Sequence, residues 1–216
     1  MAKLGLTASP RKRAYRSYRG QIGKICRNAL LVKKFKNDSN VYFYERNFGA
    51  TKPYQVLGTD VTQFQIGSGK LYLSPIIDFY TREILGYDLS NSPNYAQIRR
   101  MIAMMIKNHG ESFRGSILHS DQGYQYQMIA YQKLLKSHGI IQSMSRKGNC
   151  LDNSPTENFF GRLKTEIFYD QEFEYKSLDE LRKAIEDYIK YYNEDRIVVR
   201  FGDSPTNVRL AGRIAN

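Results

Sequence analysis

The sequence predicts an α/β fold in which helices flank a mixed five-stranded sheet. Three observations support this prediction. Three β-rich stretches follow one another through short turns, which is typical of an antiparallel meander. Two further short apolar strands alternate with helical patterns, as in parallel crossover units. Two helical patterns end the chain, so the order is β-β-β-α-β-α-β-α-α. This order favours one mixed sheet with helices on both faces.

The first three strands are predicted from β-forming residues between turn signals. "YQVLGTDVTQFQI" (54–66) contains many β-branched and aromatic residues, and the Gly-Ser-Gly turn at 67–69 ends it. The second strand is "KLYLSPIIDFY" (70–80). "TRE" (81–83) then turns the chain into the third strand, "EILGYDLS" (83–90). The short turns place these three strands side by side and antiparallel.

The remaining elements alternate between strands and helices. Apolar residues three and four positions apart predict the first helix, and "GSILHSD" and "GIIQSMS" are short apolar strands. A second helix separates these two strands, and two more helices follow them. The last begins at the capping box "SLDE". The four predicted helices cover about Tyr95–His109, about Gln127–His138, a segment from Ser154, and a long segment from Ser177.

The helix that begins at "SPTENFFGRLKTE" allows two interpretations. Ser154 suits an N-cap, Pro155 suits the first helical position, and Glu157 completes a capping box. On this interpretation the segment is an ordinary helix start. However, Glu157, Gly161 and Lys164 also form one line beside the apolar stripe. An acid, a gap and a cation in line are suited to contact an anionic polymer.

Positive charge is concentrated at the N-terminus. The formal net charge is +12, and residues 1–36 contain eleven Lys or Arg and no Asp or Glu. We therefore divide the chain into a basic arm and linker (1–50) and a core domain with a C-terminal helix and tail (51–216). Such an arm favours nucleic acid as a partner, with a solubilising tail as the alternative. We expect much of the arm to be poorly ordered without DNA, and its candidate DNA contacts are Arg11, Arg13, Arg16 and Arg19.

Composition excludes several classes of protein. The 216 residues are 41% hydrophobic, which is enough for a real core and argues against a disordered chain. No apolar run is long enough to span a membrane, and charges occupy the place of a signal peptide's apolar stretch. Cys26 and Cys150 show no metal-site or disulfide spacing. We expect both cysteines to be free thiols. We expect the protein to lie in a reducing cytoplasm, associated with the nucleoid and without a membrane partner.

Three acids are predicted to meet at one edge of the sheet. Asp60 lies in the first strand and Asp121 ends the fourth, and in this topology those strands can run side by side and parallel. The helix carrying Glu157 can pack over the same edge. Carboxylates brought together repel one another, and the usual relief is a divalent cation such as Mg²⁺. Asp78, in the second strand, is the alternative if the register differs.

The spacing of these acids carries a specific resemblance. Thirty-five residues separate Asp121 from Glu157, and Lys164 follows seven positions later. "GTDVTQF", "YLSPIIDFYTREILGY", "HSDQGYQY", "SRKGNCLDNSPTENFFGRLKTE" and "YIKYYNEDR" resemble the insertion-sequence-three family of DDE transposases, which is related to retroviral integrases. The likeness runs from about Arg13 to Arg209. It implies a ribonuclease-H-like fold with an integrase-type catalytic core.

The resemblance also implies a reaction and a set of roles. The expected reaction is Mg²⁺-dependent cleavage and strand transfer of DNA with two metal ions, which Mn²⁺ can replace. Asp60, Asp121 and Glu157 match the three catalytic, metal-binding acids. His119 is open to two interpretations, a core residue or a DNA contact, and Asp152 fits a loop-structuring acid better than a ligand. The matched loop before the helix contains Asn149, Asp152 and Asn153, and the DNA-side candidates are Lys164, Gly161, Gln122, His119 and Arg162.

The chain departs from the family pattern in three places. Leu57 stands where the family has Trp, the late motif continues as Arg196-Ile197-Val198 without His, and the family's helix-turn-helix segments would precede this core. A truncated copy, an isolated domain and the product of one of two overlapping frames all remain open. The expected partners are double-stranded DNA (element ends and target), further copies of the chain, and a first-frame protein. The alternatives are an inactive DNA-binding remnant and a nuclease that only hydrolyses.

Overall fold

The computed structural model describes residues 23–36, 42–46, 49–146 and 154–214. Within these ranges the chain forms eight strands and six helices. The strands are β1 (Leu31–Phe35), β2 (Tyr42–Arg46), β3 (Val56–Thr59), β4 (Thr62–Ile66), β5 (Gly69–Asp78), β6 (Ile84–Ser90), β7 (Ile117–Ser120) and β8 (Ile141–Met144). The helices are α1 (Tyr95–His109), α2 (Tyr124–Gln127), α3 (Ile129–Ser137), α4 (Ser154–Ile167), α5 (Leu178–Glu194) and α6 (Pro205–Ile214).

The main sheet is mixed, as predicted, but it has six strands rather than five. Its order is β4-β5-β3-β7-β8, and β6 pairs with β5. The predicted first strand is divided at Asp60 into β3 and β4, which keep one register against β5. The division has a local cause, because the Val61 N–H donates to Asp60 Oδ1 at 2.7 Å. That N–H group therefore binds the Asp60 carboxylate and not a neighbouring strand.

Helices cover both faces of the sheet. One apolar cluster joins the strands to α4 and α5, with Phe159, Leu163 and Ile185 at its centre. A second cluster joins the opposite face to α1 and α3, with Met101 and Leu135 fully buried. Strands β5 and β6 are antiparallel to their neighbours, whereas β3, β7 and β8 run parallel. The predicted mixed α/β fold is therefore confirmed.

Residues 31–35 and 42–46 form strands that were not predicted from the sequence. Strands β1 and β2 form an antiparallel hairpin in a stretch that includes the expected linker. Before it, the Ala29 N–H donates to Ser143 Oγ at 2.9 Å, and Leu30 is buried in the core. Cys26 is a free thiol that contacts Gln142, as expected for a reduced cysteine. Part of residues 23–36 therefore packs on the core, whereas the rest of the arm lies outside the described residues, and its expected disorder and the boundary near residue 50 stay predictions.

Two helices were not predicted from the sequence. The short helix α2 follows Asp121 directly, and α6 occupies the segment assigned to a tail. Arg209 of α6 forms an ion pair with the buried carboxylate of Glu83, with Nε and Oε2 2.5 Å apart. Ser204-Pro205 repeats the Ser-Pro start of α4, so a start signal for α6 was present. No described helix is long and apolar enough to cross a membrane.

Candidate active site

Parallel pairing of β3 and β7 brings the first two predicted acids to the same edge. Gly58 lies opposite His119 in the register, and Asp60 and Asp121 each follow two residues later. Both carboxylates therefore lie just beyond the carboxyl ends of adjacent parallel strands, where sites in such sheets occur. Both side chains are half-buried. The topology inferred from the sequence is thus present at these two positions.

The electrostatic environment of this edge disfavours negative charge. Burial and the negative charge of Asp121 raise the pKa of Asp60 to about 8. The Val61 N–H lowers this pKa, Glu157 raises it further, and Lys164 lowers it. Burial also raises the pKa of Asp121, against one bond from the Gly123 N–H at 2.8 Å. Asp60 and Asp121 therefore both lie in a desolvated environment, and the hydrogen bond that each accepts offsets the cost of ionisation only in part.

Glu157 approaches the pair from the first turn of α4. Its helix can lie close to the sheet because Gly58 has no side chain. A Cβ atom at that position would lie 2.7 Å from the Thr156 hydroxyl and 2.3 Å from the Phe79 ring. Glu157 is exposed, yet its charge acts on Asp60. Within the described part of the chain, no three His, Cys, Asp or Glu side chains form a cluster close enough to hold a metal ion.

Helix α4 begins at Ser154, directly after residues that the structure does not describe. The predicted capping box of Ser154 and Glu157 therefore stays a prediction. Glu157 is the acidic residue of the first turn, where the positive end of the helix dipole favours a carboxylate. The predicted apolar stripe is confirmed, because Phe159, Phe160 and Leu163 are buried.

Lys164 connects α4 to the sheet. Its Nζ donates to the Gln63 carbonyl at 2.8 Å and lies 5.0 Å from the centroid of the Phe64 ring. The lysine charge also reaches Asp60, where it favours the ionised carboxylate. Lys164 therefore lies beside the acids, as the line on the helical wheel predicted. Its contact with DNA stays a prediction.

Gly161 and Arg162 face an open groove on the outside of α4. We call this surface the α4 groove; it is lined by Glu157, Asn158, Gly161, Arg162, Thr165 and Glu166. A Cβ atom built on Gly161 would meet no heavy atom within 4 Å. The glycine therefore leaves space at the groove floor, in line with the gap inferred from the sequence.

His119 and Gln122 are held by the protein itself. His119 is fully buried, and its Nδ1 lies 2.8 Å from the Ser143 hydroxyl. A side chain without exposure has no surface to offer DNA, so its placement fits the core interpretation and not the DNA-contact interpretation. The Gln122 side-chain amide donates to the Ser145 backbone carbonyl at 3.0 Å, and the Gln122 backbone carbonyl accepts from the Gln127 side-chain amide. Gln122 thus joins the ends of β7 and β8.

Asp78, the alternative acid, has a different environment. Its carboxylate accepts the backbone N–H groups of Tyr54, Tyr80 and Thr81 at 2.6, 2.7 and 3.0 Å. It is fully buried and lies opposite Leu57 in the register, three residues away from Asp60 along that strand. Asp78 therefore organises the turn after β5 and does not join the acid pair.

Three contributors to this edge were missed from the sequence. Gly58 admits α4, the Gly123 N–H binds Asp121, and Tyr126 lies beneath the acids with its hydroxyl 3.5 Å from Thr59 Oγ1. A glycine inside a strand is a known sign of close backbone approach, so Gly58 carried a signal. Some predicted residues lie outside the described residues: Arg11, Arg13, Arg16, Arg19, Asn149, Cys150, Asp152 and Asn153.

Comparison with known proteins decides the family. Residues 50–150 and 157–210 each match an integrase core domain model. An uncharacterised transposase-like protein of Haemophilus influenzae is 47% identical over 212 residues, covering 97% of this chain and 89% of that protein. The putative transposase InsK for insertion sequence element IS150 of Escherichia coli is 43% identical over 210 residues, covering 97% of this chain and 68% of that protein. The chain belongs to the insertion-sequence-three family of DDE transposases.

Solved structures agree on the fold. The catalytic core domain of HTLV-2 integrase, in complex with magnesium, superposes with a TM-score of 0.57 at 15% identity, covering 74% of this chain and 99% of that one. A chain of the simian T-cell lymphotropic virus intasome gives a TM-score of 0.63 at 15% identity, covering 74% of this chain and 55% of that one. These similarities show that this family member has the ribonuclease-H-like fold of retroviral integrase cores.

Proposed function

We propose that this transposase catalyses Mg²⁺-dependent DNA cleavage and strand transfer, with Asp60, Asp121 and Glu157 as the metal ligands. The observation that carries the proposal is the parallel pairing of β3 and β7, which brings Asp60 and Asp121 to the same edge of the sheet. Negative charge on Asp121 and on Glu157 acts on the desolvated Asp60 carboxyl. Acids gathered in this way destabilise a protein unless they have a task that needs them together.

The donor set fits magnesium. Carboxylate oxygens are the hard ligands that Mg²⁺ prefers, and all three proposed ligands are carboxylates. When bound, two magnesium ions supply activation of an attacking oxygen and stabilisation of a leaving oxygen. In our proposal Asp60, Asp121 and Glu157 would together hold the metal, and their carboxylates would supply its charged ligands.

The chain's own residues prepare this site. Lys164 and the Val61 N–H both favour the ionised form of Asp60, which is the form that binds a cation. The Gly123 N–H does the same for Asp121 and fixes its carboxylate on the strand end. The dipole of α4 favours ionised Glu157. Glu157 is the exposed member, so movement of the first turn of α4 toward the pair would complete the ligand set.

The substrate we propose is double-stranded DNA, both at the element ends and at the target. Lys164 would contact the phosphate backbone beside the site, and Gly161 would let that backbone approach α4. The magnesium-bound HTLV-2 integrase core is a dimeric form, and the simian virus neighbour belongs to an intasome. We therefore propose that this chain acts as a homo-oligomer on DNA, together with a first-frame protein.

A joining assay tests the proposal. Short duplexes carrying the element end are incubated with the full chain and Mg²⁺, and cleaved and joined products are separated. We expect both products from the wild type and loss of both in Glu157→Gln, by roughly 10³-fold or more, because the variant lacks one charged ligand. Duplex binding should persist in this variant.

A control and two contrary outcomes complete that assay. Glu186→Gln makes the same chemical change on an exposed carboxylate of α5 and should retain activity. Binding without cleavage in the wild type would identify an inactive remnant. Hydrolysis without joining would identify a nuclease. Either result would overturn strand transfer as the function.

A further inference from the structure

Four arginines from three separate segments lie around the C-terminal end of α5. Arg82 belongs to the β5–β6 turn, Arg162 to α4, and Arg196 and Arg200 follow α5. We call these four residues the arginine cluster. The charges of Arg82, Arg162 and Arg196 all act on the Tyr192 hydroxyl, which is therefore a common neighbour of the cluster. The segments meet only in the folded chain.

Packing orients two members of the cluster. Arg196 Nη1 lies 2.6 Å from Glu166 Oε2, and the same carboxylate accepts the Tyr188 hydroxyl at 3.1 Å. The Arg200 guanidinium lies 5.0 Å from the Phe201 ring centroid and 5.6 Å from that of Tyr80. Cation–π contacts of this kind hold a guanidinium without neutralising its charge.

The cluster carries more positive than negative charge. Burial lowers the pKa of Arg82, and Tyr192 and Asp78 oppose this effect while Arg200 and Arg162 add to it. Asp78 already accepts three backbone N–H groups. Glu166 is shared by Arg196 and Tyr188. The carboxylates of Asp78 and Glu166 therefore already have other donors, so they balance the guanidinium charges only in part and an anionic ligand can bind the cluster.

The turn that presents Arg82 is itself unusual. Arg82 has φ of 70°, in the left-handed region that residues with a side chain rarely adopt. Such a conformation is strained and persists where the surroundings hold it. Here the Arg82 N–H donates to the Asp78 carbonyl at 2.9 Å, and the Asp78 carboxylate binds the rest of the turn. The turn thus holds Arg82 in place.

The cluster is continuous with the proposed catalytic edge. Arg162 and Glu166 line the α4 groove together with Glu157 and Gly161. From Glu157 to Arg162 the helix rises about 7.5 Å, which corresponds to about two nucleotide steps along one DNA strand. A DNA backbone that passes Glu157 would therefore reach Arg162 within a few phosphates.

We propose that the arginine cluster binds phosphates of the duplex DNA on which Glu157 acts, through Arg82, Arg162, Arg196 and Arg200. The planar guanidinium matches two phosphate oxygens at once, which suits a backbone contact. The contact fixes the position of the duplex and reads no sequence. This inference rests on the proposed function and extends it by assigning a track for the DNA beyond the acids.

The test measures duplex binding against salt concentration by fluorescence anisotropy, with the full chain and Ca²⁺ in place of Mg²⁺. Arg162 and Arg200 are exposed, so Arg162→Gln/Arg200→Gln should leave the fold intact. Loss of two phosphate contacts should reduce the log–log salt slope by about 1.8. Arg162→Lys/Arg200→Lys should retain the slope because the charge remains.

The matched control is Arg99→Gln/Lys107→Gln, which removes the same charge from exposed positions of α1. Its slope should stay within about 0.5 of the wild type, since distant charges make no phosphate contact. Equal salt slopes for the test and control variants, in a protein that still cleaves and joins DNA, would overturn the proposal that the arginine cluster binds DNA phosphates. The proposed function would then still stand. If Arg162→Gln/Arg200→Gln reduced the salt slope for single-stranded DNA but not for duplex DNA, the proposed duplex contact would also be overturned. A wild type that fails to bind duplex would overturn both.

Discussion

Two aspartates in this molecule, Asp60 and Asp78, lie on or directly beside neighbouring strands, and burial raises the pKa of each. Their surroundings differ. Asp78 accepts three backbone N–H groups and organises a turn. Asp60 accepts the N–H of Val61 and faces the negative charges of Asp121 and Glu157. One buried acid is satisfied by the fold, and the other needs a positive partner.

The surroundings of Asp60 and Asp78 distinguish an acid that the fold satisfies from one that it does not, which position in the sequence does not do. Both residues fit a strand-acid pattern, and from the sequence Asp78 was the main alternative to Asp60. A carboxylate with a full set of backbone donors stabilises the fold and has little left to offer a ligand. A carboxylate gathered with others at a strand end costs stability and gains a function when a cation binds.

The largest expected effect is on stability at Asp78. Asp78→Ala leaves three backbone N–H groups of a buried turn without their acceptor, and each such loss costs about 1–3 kcal/mol. We expect the free energy of unfolding to fall by about 3 kcal/mol or more in urea titrations. Asp88→Ala is the matched control, because it breaks an ion pair with the exposed Arg100 and should cost about 1 kcal/mol or less. Equal losses would show that the Asp78 donors contribute little.

A smaller effect is expected where α4 meets the sheet. Gly58→Ala places a methyl group 2.3 Å from the Phe79 ring and 2.7 Å from the Thr156 hydroxyl, so the helix start must shift. We expect a loss of about 1–3 kcal/mol in unfolding free energy, with joining activity reduced further because Glu157 moves with the helix. Gly67→Ala, whose Cβ would meet nothing within 4 Å, is the control. Full activity in Gly58→Ala would contradict the close-approach role.

The smallest effect is a gain of stability at Asp60. The folded pKa of about 8 exceeds the unfolded value of 3.8, so the folded state holds a proton that the unfolded state has lost between these values. Stability of the metal-free protein should therefore fall as pH rises from about 4 to about 8. Asp60→Asn removes this dependence and should be more stable at pH 8 by at least about 1 kcal/mol. The measurement is urea unfolding in EDTA, with Asp187→Asn, an exposed acid on α5, as control. An equal or steeper fall of stability with pH in Asp60→Asn would contradict this prediction.

Much of the fold was predictable because periodic patterns record burial directly. The capping box at α5 is present, with the Ser177 hydroxyl accepting the Glu180 N–H at 3.2 Å. The parallel neighbours β3 and β7 followed from strand order, and they bring Asp60 and Asp121 together. The hairpin of β1 and β2 was missed because its lysines and exposed aromatic residues resemble a basic linker.

The details of the site were less predictable because they depend on contacts between distant segments. Nothing local to Asp78 indicates that the Tyr54 N–H reaches it across the fold. The meeting of Arg82 with Arg162 likewise depends on how α4 packs beside the β5–β6 turn. Spacing and resemblance predict the three acids, and their catalytic role stays a prediction, whereas the packing of the chain distinguishes which acid the fold itself satisfies.

Calorimetric titration with Mg²⁺ at pH 7.5 tests this difference most directly. The central claim predicts heat of binding in the wild type and in Asp78→Asn, and none in Asp60→Asn, Asp121→Asn or Glu157→Gln. Because Asp60 has a pKa of about 8, binding should also release protons, so the heat should change with the ionisation enthalpy of the buffer. Binding that survives in Asp60→Asn, or that disappears in a folded Asp78→Asn, would contradict the claim.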